Sequence, residues 1–376
     1  MTTQTLGHIF RSWPCQNAIV ALLLVFTAAF LWKLSRREYW RLAARELRSR
    51  KGAMVCAAIL CLYASIAVLD SVGWRSPAID PTTGNIIRVN GHVVLDEGRS
   101  VLDRLLQPLA NRREKTYSAP LGTVQFTKST VKGRDGRMHR VNEPLAFPRS
   151  HLLGTDMIGQ DVLLQALKSI RTGLIIGLLT TLLAVPFALL FGLCGGYYGG
   201  WVDDVVQYFC TVLSSIPNVL LIAALMVVWG QGLPQLCVAM GIASWTGLCR
   251  LLRGETMRLR EADFVSAATA QGVPGWKILL RHILPNVLHI VLINLVLRFS
   301  SEVLAEAALT YLGMGVGAGT MSWGTMINDA RTELTRNPVI WWKLCAAFTF
   351  MLGLVLTANI FGDAVRDALD PRMRTQ

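Results

Sequence analysis

Seven long apolar stretches, almost free of charged side chains, recur along the chain. They cover residues 17–34, 52–70, 172–194, 205–229, 235–252, 286–309 and 341–362. Each is close to the roughly 20 residues that a helix needs to cross a bilayer. The composition agrees, because 52% of the residues are hydrophobic, only 16% are charged, and the mean hydropathy is +0.43. A water-soluble chain of 376 residues could not bury so much apolar surface. The sequence therefore predicts an all-α integral membrane protein with about seven transmembrane helices.

The first stretch and the cysteines each allow two interpretations. Arg11 and Trp13-Pro14 before 17–34 are compatible with a cleavable signal peptide, but most positive charge follows the stretch. We therefore expect a retained membrane anchor, with a signal peptide as the alternative. Seven of the eight cysteines lie in or beside apolar stretches, and no CxxC pair occurs. We expect them to be buried small apolar side chains, with disulfides or a metal site as the alternative.

The Lys and Arg residues of the short connections predict the orientation of the chain. The segment 33–51 holds eight and the segment 250–282 holds six, whereas residues 1–16 hold one. When the spans alternate across the membrane, 17 such charges fall on one side and 3 on the other. Positive charge accumulates on the cytoplasmic side of membrane proteins. We therefore expect the amino terminus and the segment 71–171 outside, and the carboxyl terminus in the cytoplasm. The net charge of +13 then indicates topology and not nucleic acid as a partner.

The outside segment has the pattern of a small folded insert. Residues 86–95 place apolar β-forming residues on both sides of Asn90-Gly91, which predicts a β-hairpin. A second hairpin is predicted from 123–132, through a turn at 133–136, to 138–141. We therefore expect a mostly β extracytoplasmic insert over 71–150. The alternative is an irregular basic loop.

Motifs for catalysis or nucleotide binding do not occur in the sequence. A phosphate-binding loop needs a Gly-Lys pair, and the chain contains none. HExxH, GxSxG and Cys/His clusters at zinc spacing are also missing. The sequence therefore predicts no catalytic residue, no metal site and no cofactor on this chain, and the protein is not expected to be an enzyme.

One long connection, residues 253–285, has a helical pattern. Glu261–Ala270 predicts a short helix with acidic residues in its first turn, and Gln271-Gly272 predicts its end. Pro274 is expected to open a second helix, Gly275–Leu284, and Pro285 the next span. The small side chains of Ser266, Ala267 and Ala268 would let another surface approach this helix closely. The segment therefore suits docking to a partner, and a plain re-entry loop is the alternative.

At these residues the chain resembles the permease subunits of binding-protein-dependent ABC importers. The EAA loop of that family is similar to Ser266-Ala267-Ala268, followed by Gly272 and, thirteen residues later, Pro285. The segment 272–286 is similar to the second permease subunit of the dipeptide/oligopeptide/nickel branch. Further segments that agree with this branch are 153–162, 195–203, 305–313, 322–324 and 362–372.

The resemblance implies a type I importer permease fold in a bacterial inner membrane. Five core helices would lie in 151–376, preceded by two spans in 1–70 and by the insert 71–150. A cytoplasmic coupling helix at about 261–272 would be seated in a cleft of a separate ATPase subunit. The coupling residues would be Ser266, Ala267, Ala268, Gly272 and Pro285. Implied partners are a sister permease, two ATPase subunits that bind ATP and Mg, an extracytoplasmic solute-binding protein and membrane lipid, with peptides as the substrate.

Two residues depart from the pattern of that family. Ser266 stands where Glu is usual, and Gln160 stands where Arg is usual. Within the same type of importer, nickel or another small solute is the alternative substrate. A membrane scaffold or sensor that binds a ligand through its insert is an alternative from another class, and a proton-coupled carrier working alone is a third.

Few ionisable residues fall inside the predicted spans. Arg298, Glu302 and Glu306 are spaced four residues apart, which puts them on one face of the sixth span. Lys343 lies near the start of the seventh. Because charge within a bilayer is costly, such groups usually pair or face a watery cavity. One interpretation is a polar stripe along a translocation path. The other is an Arg298–Glu302 salt bridge that holds the spans together.

Overall fold

The chain divides into two compact units. A computed structural model describes residues 17, 18, 20–22, 25, 29, 33, 38–75, 88–89, 92–93, 98–132, 138–317 and 319–369. The predicted first span at 17–34 lies largely outside the described residues, and the tail 370–376 lies wholly outside them. Unit 1 comprises Met1–Arg45, Ala58–Arg171 and Met321–Met351. Unit 2 comprises Glu46–Ala57, Thr172–Thr320 and Leu352–Gln376.

Helix and short strands alternate in the amino-terminal part. Helix α1 (Glu38–Ser49) is followed directly by helix α2 (Lys51–Ser71). The insert then forms two-stranded antiparallel sheets, which pair β1 (Gly73–Trp74) with β4 (Arg99–Ser100), β2 (Arg88–Val89) with β3 (His92–Val93), and β5 (Ser129–Lys132) with β6 (Met138–Val141). The registers Arg88↔Val93 and Ser129↔Val141 confirm both predicted hairpins. Their turns, at 90–91 and 133–137, lie outside the described residues.

The insert is less purely β than predicted, because two short helices follow β4. They are α3 (Val101–Leu105) and α4 (Gln107–Asn111). The Ser100 hydroxyl accepts a hydrogen bond from the Asp103 backbone N–H at 3.1 Å, and the Asp103 carboxylate accepts one from the Ser100 N–H at 3.3 Å. This reciprocal capping box satisfies two donors that a helix start leaves free. The capping box therefore starts a helix in a segment that was predicted to be mostly β.

Long helices make up the rest of the described chain. In order they are α5 (Val162–Tyr198), α6 (Gly200–Ser215), α7 (Asn218–Trp229), α8 (Leu233–Arg260), α9 (Asp263–Ala270), α10 (Gly275–Tyr311), α11 (Trp323–Glu333) and α12 (Trp342–Leu369). Among the described residues, five helices are long and apolar enough to cross a membrane, namely α2, α5, α8, α10 and α12. They confirm the spans predicted at 52–70, 172–194, 235–252, 286–309 and 341–362.

The stretch 205–229 is not the single straight span that its hydropathy predicts. It is divided between α6 and α7, whose axes differ by 87°. The break falls at Ile216 and Pro217, and Ile216 has an extended backbone with φ −90° and ψ 127°. Proline has no backbone N–H and disfavours the helical conformation of the residue before it. A continuous apolar stretch therefore forms two helices at a sharp angle.

Helix α10 starts earlier than expected and does not restart at Pro285. Its first residues, Gly275–Ile278, are α-helical, Leu279–Ile283 form a π-turn, and the α-helix resumes from Leu284 to Tyr311. The Leu284 N–H donates to the Leu279 carbonyl five residues back. A proline clashes with the carbonyl four residues before it, and a π-turn is a local way to relieve such a clash. The predicted separate helix Gly275–Leu284 is thus the first part of one long helix.

Within unit 1 the insert and the residues just after it pack against chain segments that are distant in sequence. The Trp342 indole N–H donates to the Thr155 carbonyl at 3.0 Å, and the Tyr117 hydroxyl donates to Glu333 at 3.4 Å. Burial raises the pKa of Tyr117 to about 12, with the nearby Glu333 carboxylate adding to the effect. The buried Lys343 pairs with Asp329 at 2.9 Å. These contacts join 98–171 to 323–343 in one structural unit.

Glycines bring the backbones of α5 and α8 into close contact within unit 2. A Cβ placed at Gly192 would lie 2.8 Å from the Cys249 carbonyl oxygen, and one at Gly196 would lie 2.7 Å from that of Arg253. The two glycines are four residues apart, a small-xxx-small spacing that is typical of close helix pairs in membranes. Farther along, a Cβ at Gly241 would lie 3.0 Å from Leu183 Cβ. These positions therefore require the smallest side chain.

The cysteines match the expected burial only in part. Cys56, Cys210, Cys237 and Cys249 are buried, whereas Cys61 and Cys345 are exposed, and all of them are free thiols. The exposed pair lies on the spans α2 and α12, and an apolar side chain on a span can face lipid without penalty. Cys15 lies outside the described residues.

We predict opposite effects for two Gly→Ala substitutions in helices of unit 2. Gly196→Ala should lower the stability of the protein by about 1–3 kcal/mol, because the added methyl group overlaps backbone atoms of α8. Gly254→Ala should raise it by about 0.5–1 kcal/mol, because no atom lies within 4 Å of that methyl and alanine favours a helix. Thermal unfolding of the purified full chain in detergent measures both. Equal shifts of the melting temperature would contradict the close packing at Gly196.

Candidate functional site

The short helix α9 has an acidic residue in its first turn and a backbone stop signal at its end. Asp263 lies in its first turn, where a carboxylate interacts favourably with the helix dipole. At its end, the Gly272 N–H donates to the Thr269 carbonyl at 3.0 Å and the Val273 N–H donates to the Ala268 carbonyl at 3.1 Å. This pair of bonds is a Schellman motif, which places the residue after the cap in the left-handed region. Gly272 has φ +74°, so the predicted helix end is confirmed.

The two sides of α9 differ in exposure. Ser266 and Ala267 are exposed, whereas Val265 and Ala268 are buried at 2% and 7% exposure. Residues three apart lie on the same face of a helix, and here that face points into the protein. The expectation that the Ala268 side chain leaves room for a partner is therefore wrong. Its methyl group packs inside unit 2 and only Ser266 and Ala267 of the triplet are on the surface.

Large apolar side chains are exposed beside the small ones. Phe264 is 42% exposed, and Trp276 and Leu280 are each 57% exposed. We name the exposed set Phe264, Ser266, Ala267, Trp276 and Leu280 the α9 surface. Exposed apolar patches on a folded protein usually mark an interaction site. Phe264, Trp276 and Leu280 were not predicted to be part of a site, although aromatic residues in a polar connection are a signal for a binding surface.

The buried side of α9 is part of the main core of unit 2. Val265 and Ala268 belong to the same buried cluster as Leu248 and Leu252 of α8, and Ile278 and Ile283 of α10. Side chains of α5, including Ala184 and Ala188, complete this cluster. Because a packed core resists deformation, a displacement of α9 must be accompanied by movement of the helices beneath it. Pro285 is exposed and lies just after the π-turn of α10. This proline is not part of the α9 surface.

Polar contacts fasten the neighbouring end of α8. The Arg253 guanidinium forms a two-pronged ion pair with the Asp203 carboxylate of α6. Arg260 donates to the Tyr197 carbonyl at the end of α5. Arg–carboxylate pairs of this geometry combine charge with directional hydrogen bonds. The segment 195–203, which carried part of the sequence resemblance, thus holds three helices of unit 2 together next to α9.

The ionisable residues predicted to lie on one face of a span do lie together on α10. Glu302 is 8% exposed and Glu306 1% exposed within unit 2. Thr310 donates to Glu306 at 2.8 Å. Arg298 donates to the backbone carbonyl of Ser244 on α8, so the predicted Arg298–Glu302 salt bridge is not formed in the described structure. Both carboxylates therefore face protein, and Arg298 links α10 to α8 through a hydrogen bond to the backbone.

A cleft of about 580 Å³ lies in unit 1. Its lining includes Arg99, Asp103, Arg113, Gln160 and Lys168. Lys168 and Asp103 form an ion pair at 2.7 Å. Burial alone would raise the pKa of Asp103, but the Lys168 ammonium and the Ser100 N–H outweigh it, so the pKa lies below its usual value of 3.8. Gln160 thus borders a charged cleft.

Comparisons with known proteins agree with these features. Residues 184–375 match the family described as binding-protein-dependent transport system inner membrane component. The oligopeptide transport system permease protein OppC of Bacillus subtilis is 32% identical over 226 residues, which are 60% of this chain and 73% of that protein. The glutathione transport system permease protein GsiD of Pectobacterium atrosepticum is 33% identical over 226 residues, 60% of this chain and 74% of its own.

Two further comparisons concern a dipeptide permease and a solved structure. The dipeptide transport system permease protein DppC of Alkalihalophilus pseudofirmus is 35% identical over 225 residues, 60% of this chain and 73% of its own. A chain of the MetNI methionine ABC transporter in an inward-facing conformation is similar over 54% of this chain and 93% of its own. The TM-score is 0.42 and the sequence identity 17%.

We predict that Arg298 and Glu302 respond differently to substitution. Arg298→Met should lower stability by about 1.5–3 kcal/mol, because it removes a charged donor from the Ser244 carbonyl. Glu302→Gln should leave solute selectivity unchanged, because the side chain is buried within unit 2. Thermal unfolding in detergent and competition between solutes in membrane vesicles measure the two effects. A changed selectivity of the Glu302→Gln protein would instead support a polar stripe along the path.

The Asp103–Lys168 pair predicts a pH-dependent stability. The folded-state pKa of Asp103 is lowered, so the pair stabilises the protein above pH 3.8 and this contribution is lost as the pH falls below that value. Lys168→Met should therefore lower stability by about 1 kcal/mol at pH 7, a modest value because both side chains are partly exposed. The difference from the unsubstituted protein should shrink towards pH 3. Thermal unfolding across this pH range checks the prediction, and a pH-independent difference would contradict it.

Proposed function

Because the chain belongs to the family of binding-protein-dependent transport system inner membrane components, we propose that it supplies half of a peptide translocation pathway. It is a multi-pass inner membrane protein and a permease of an ABC importer of the oligopeptide and dipeptide type. In this proposal a sister permease provides the other half of the pathway. An extracytoplasmic solute-binding protein delivers the peptide, and alternating access moves it across the membrane.

The observation that carries the proposal is the α9 surface. Ser266 and Ala267 are small and exposed, and Phe264, Trp276 and Leu280 provide apolar contact area beside them. Such a surface, on a short helix whose other side is fixed in the core, suits a partner that pushes or pulls on it. We propose that an ATPase subunit binds here, and that ATP and Mg are held by two such subunits and not by this chain. Gly272 ends the helix, Ala268 supports its position from within, and Pro285 follows the π-turn of α10.

Peptides are the proposed substrate class because of the relatives. Proteins that are 32–35% identical to this chain are named as oligopeptide, glutathione and dipeptide permeases. All three names refer to peptides or to a peptide-like compound. The polar side chains of the unit 1 cleft, among them Arg113 and Gln160, are candidates for contact with the incoming binding protein.

The proposed orientation follows from the positive charges of the connections. The segment 33–51, the α9 surface and the carboxyl terminus would lie in the cytoplasm. The amino terminus and the insert 71–150 would lie outside. In this arrangement the two predicted partners approach from opposite sides of the membrane, the ATPases at the α9 surface and the binding protein at the insert. Labelling of single introduced cysteines from each side of the membrane measures this orientation directly.

We predict that a large charged residue on the α9 surface uncouples transport without unfolding the protein. Ala267→Arg should reduce peptide uptake and co-purification of ATPase subunits by more than about tenfold, because a residue at the centre of an interface contributes about 2 kcal/mol or more. The amount of folded protein should stay the same. Uptake of labelled peptides into cells and analysis of the tagged, purified complex measure these effects.

Two control substitutions sharpen this test. Thr335→Arg, at an exposed position of unit 1, adds the same charge away from the α9 surface and should leave co-purification of ATPase subunits unchanged. Ala268→Arg should instead reduce the amount of folded protein, because that side chain is buried. Normal uptake by the Ala267→Arg protein would contradict the proposal, and so would solute accumulation by the purified chain alone. Uptake of nickel in place of peptides would overturn the substrate class but not the coupling.

A further inference from the structure

Helix α1 is strongly amphipathic and carries a row of arginines. Arg41, Arg45 and Arg48 follow one another at intervals of four and three residues, which aligns them along one side of the helix. The sequence puts Trp40, Ala44 and Leu47 at the same intervals one position earlier, and Tyr39 and Ala43 continue this apolar side. The three arginines are exposed, and so is Ala44. Leu47 is half-buried, so the basic row and Ala44 are the parts of this helix that are shown to be on the surface.

The connection to α2 places this helix at the edge of the membrane. Only Arg50 separates Ser49, the last residue of α1, from Lys51, the first residue of a span. Arg50 pairs with Asp367, near the end of α12, at 2.6 Å and with Glu46 at 3.6 Å. The carboxyl end of α1 is therefore fixed next to the ends of two spans. A helix so close to a span has its next turns within reach of lipid headgroups.

We propose that α1 lies in the membrane interface and binds anionic phospholipids. Its apolar side, with Ala44 and Leu47, enters the headgroup region, and Arg41, Arg45 and Arg48 bind the phosphate groups of anionic headgroups. Amphipathic helices with arginine on the polar side and aromatic residues on the other bind membranes in this way. Each basic residue near an anionic surface strengthens the attraction about fivefold.

Charge and connectivity favour lipid over a protein as the occupant. The segment 33–51 holds eight Lys and Arg residues, and its two acidic residues are Glu38 and Glu46, of which Glu46 pairs with Arg50. Residues 38–49 precede the family match at 184–375, so the family does not account for them. The proposal needs only that α2 crosses the membrane. It is therefore independent of the proposed coupling at α9 and of the substrate class.

Hydrogen exchange of the full chain in nanodiscs tests the proposal. The amides of 38–49 should exchange more than about fivefold more slowly in discs that contain phosphatidylglycerol than in discs of phosphatidylcholine alone. Replacing all three arginines by Gln should abolish this difference, and replacing them by Lys should retain most of it. Arg112→Gln/Arg113→Gln, a change of two exposed arginines in the insert, serves as the matched control and should retain the difference fully.

Each alternative gives a distinct result. Equal exchange in both kinds of disc would overturn the proposal. Protection that appears only after ATPase subunits are added would assign the helix to a protein partner instead. If the Gln variant inserts in the wrong orientation, hydrogen exchange of the unsubstituted chain in high salt still tests the proposal. High salt screens the attraction between the arginines and the anionic headgroups. Loss of the phosphatidylglycerol-specific protection in molar salt would support the proposal, and protection that resists salt would contradict it.

Discussion

The close approach of α5 and α8 at Gly192 and Gly196 holds together the part of the chain that carries the α9 surface. Within a membrane, burying apolar side chains against each other gains little, because lipid tails are equally apolar. Helices are instead held by contacts over a short distance, which glycine permits. Here the carbonyls of Cys249 and Arg253 lie where a larger side chain would overlap them. The Arg253–Asp203 ion pair forms at the same level and adds a directional contact.

This packing explains how α9 can be part of the core and also present an exposed surface. Val265 and Ala268 extend the core that α5, α8 and α10 share, while Ser266 and Ala267 remain on the surface. A helix of eight residues would not be stable by itself, because helix nucleation is costly. Its shape therefore depends on the core below it and on the Schellman motif at Gly272. A partner that binds the exposed side acts on a rigid element that is continuous with the spans.

The sequence allows prediction of those features that depend on length, hydropathy and local backbone signals. Five spans, two hairpins and the end of α9 at Gly272 belong to this group. The break at Pro217 has a local signal too, yet hydropathy averaged over 205–229 hides it. Which side of α9 faces inward could not be predicted, because all three residues of Ser266-Ala267-Ala268 are small. An Arg298–Glu302 salt bridge was one of two interpretations of the sixth span. Arg298 instead donates to a backbone carbonyl on another helix, a contact that the residue spacing within one span cannot predict.

The insert shows the same limit of prediction from sequence for a whole folded segment. Its hairpins are local and predictable, whereas its attachment depends on residues far apart in sequence. Tyr117 donates to Glu333, and the Phe126 ring packs edge to face on Trp342, so the insert packs against 323–343. That segment lies within the family match at 184–375, whereas the insert does not. The insert therefore packs against a segment that belongs to the family match and buries some of the side chains of that segment. A binding protein that approaches this side would meet a surface formed jointly by the insert and the family's own residues.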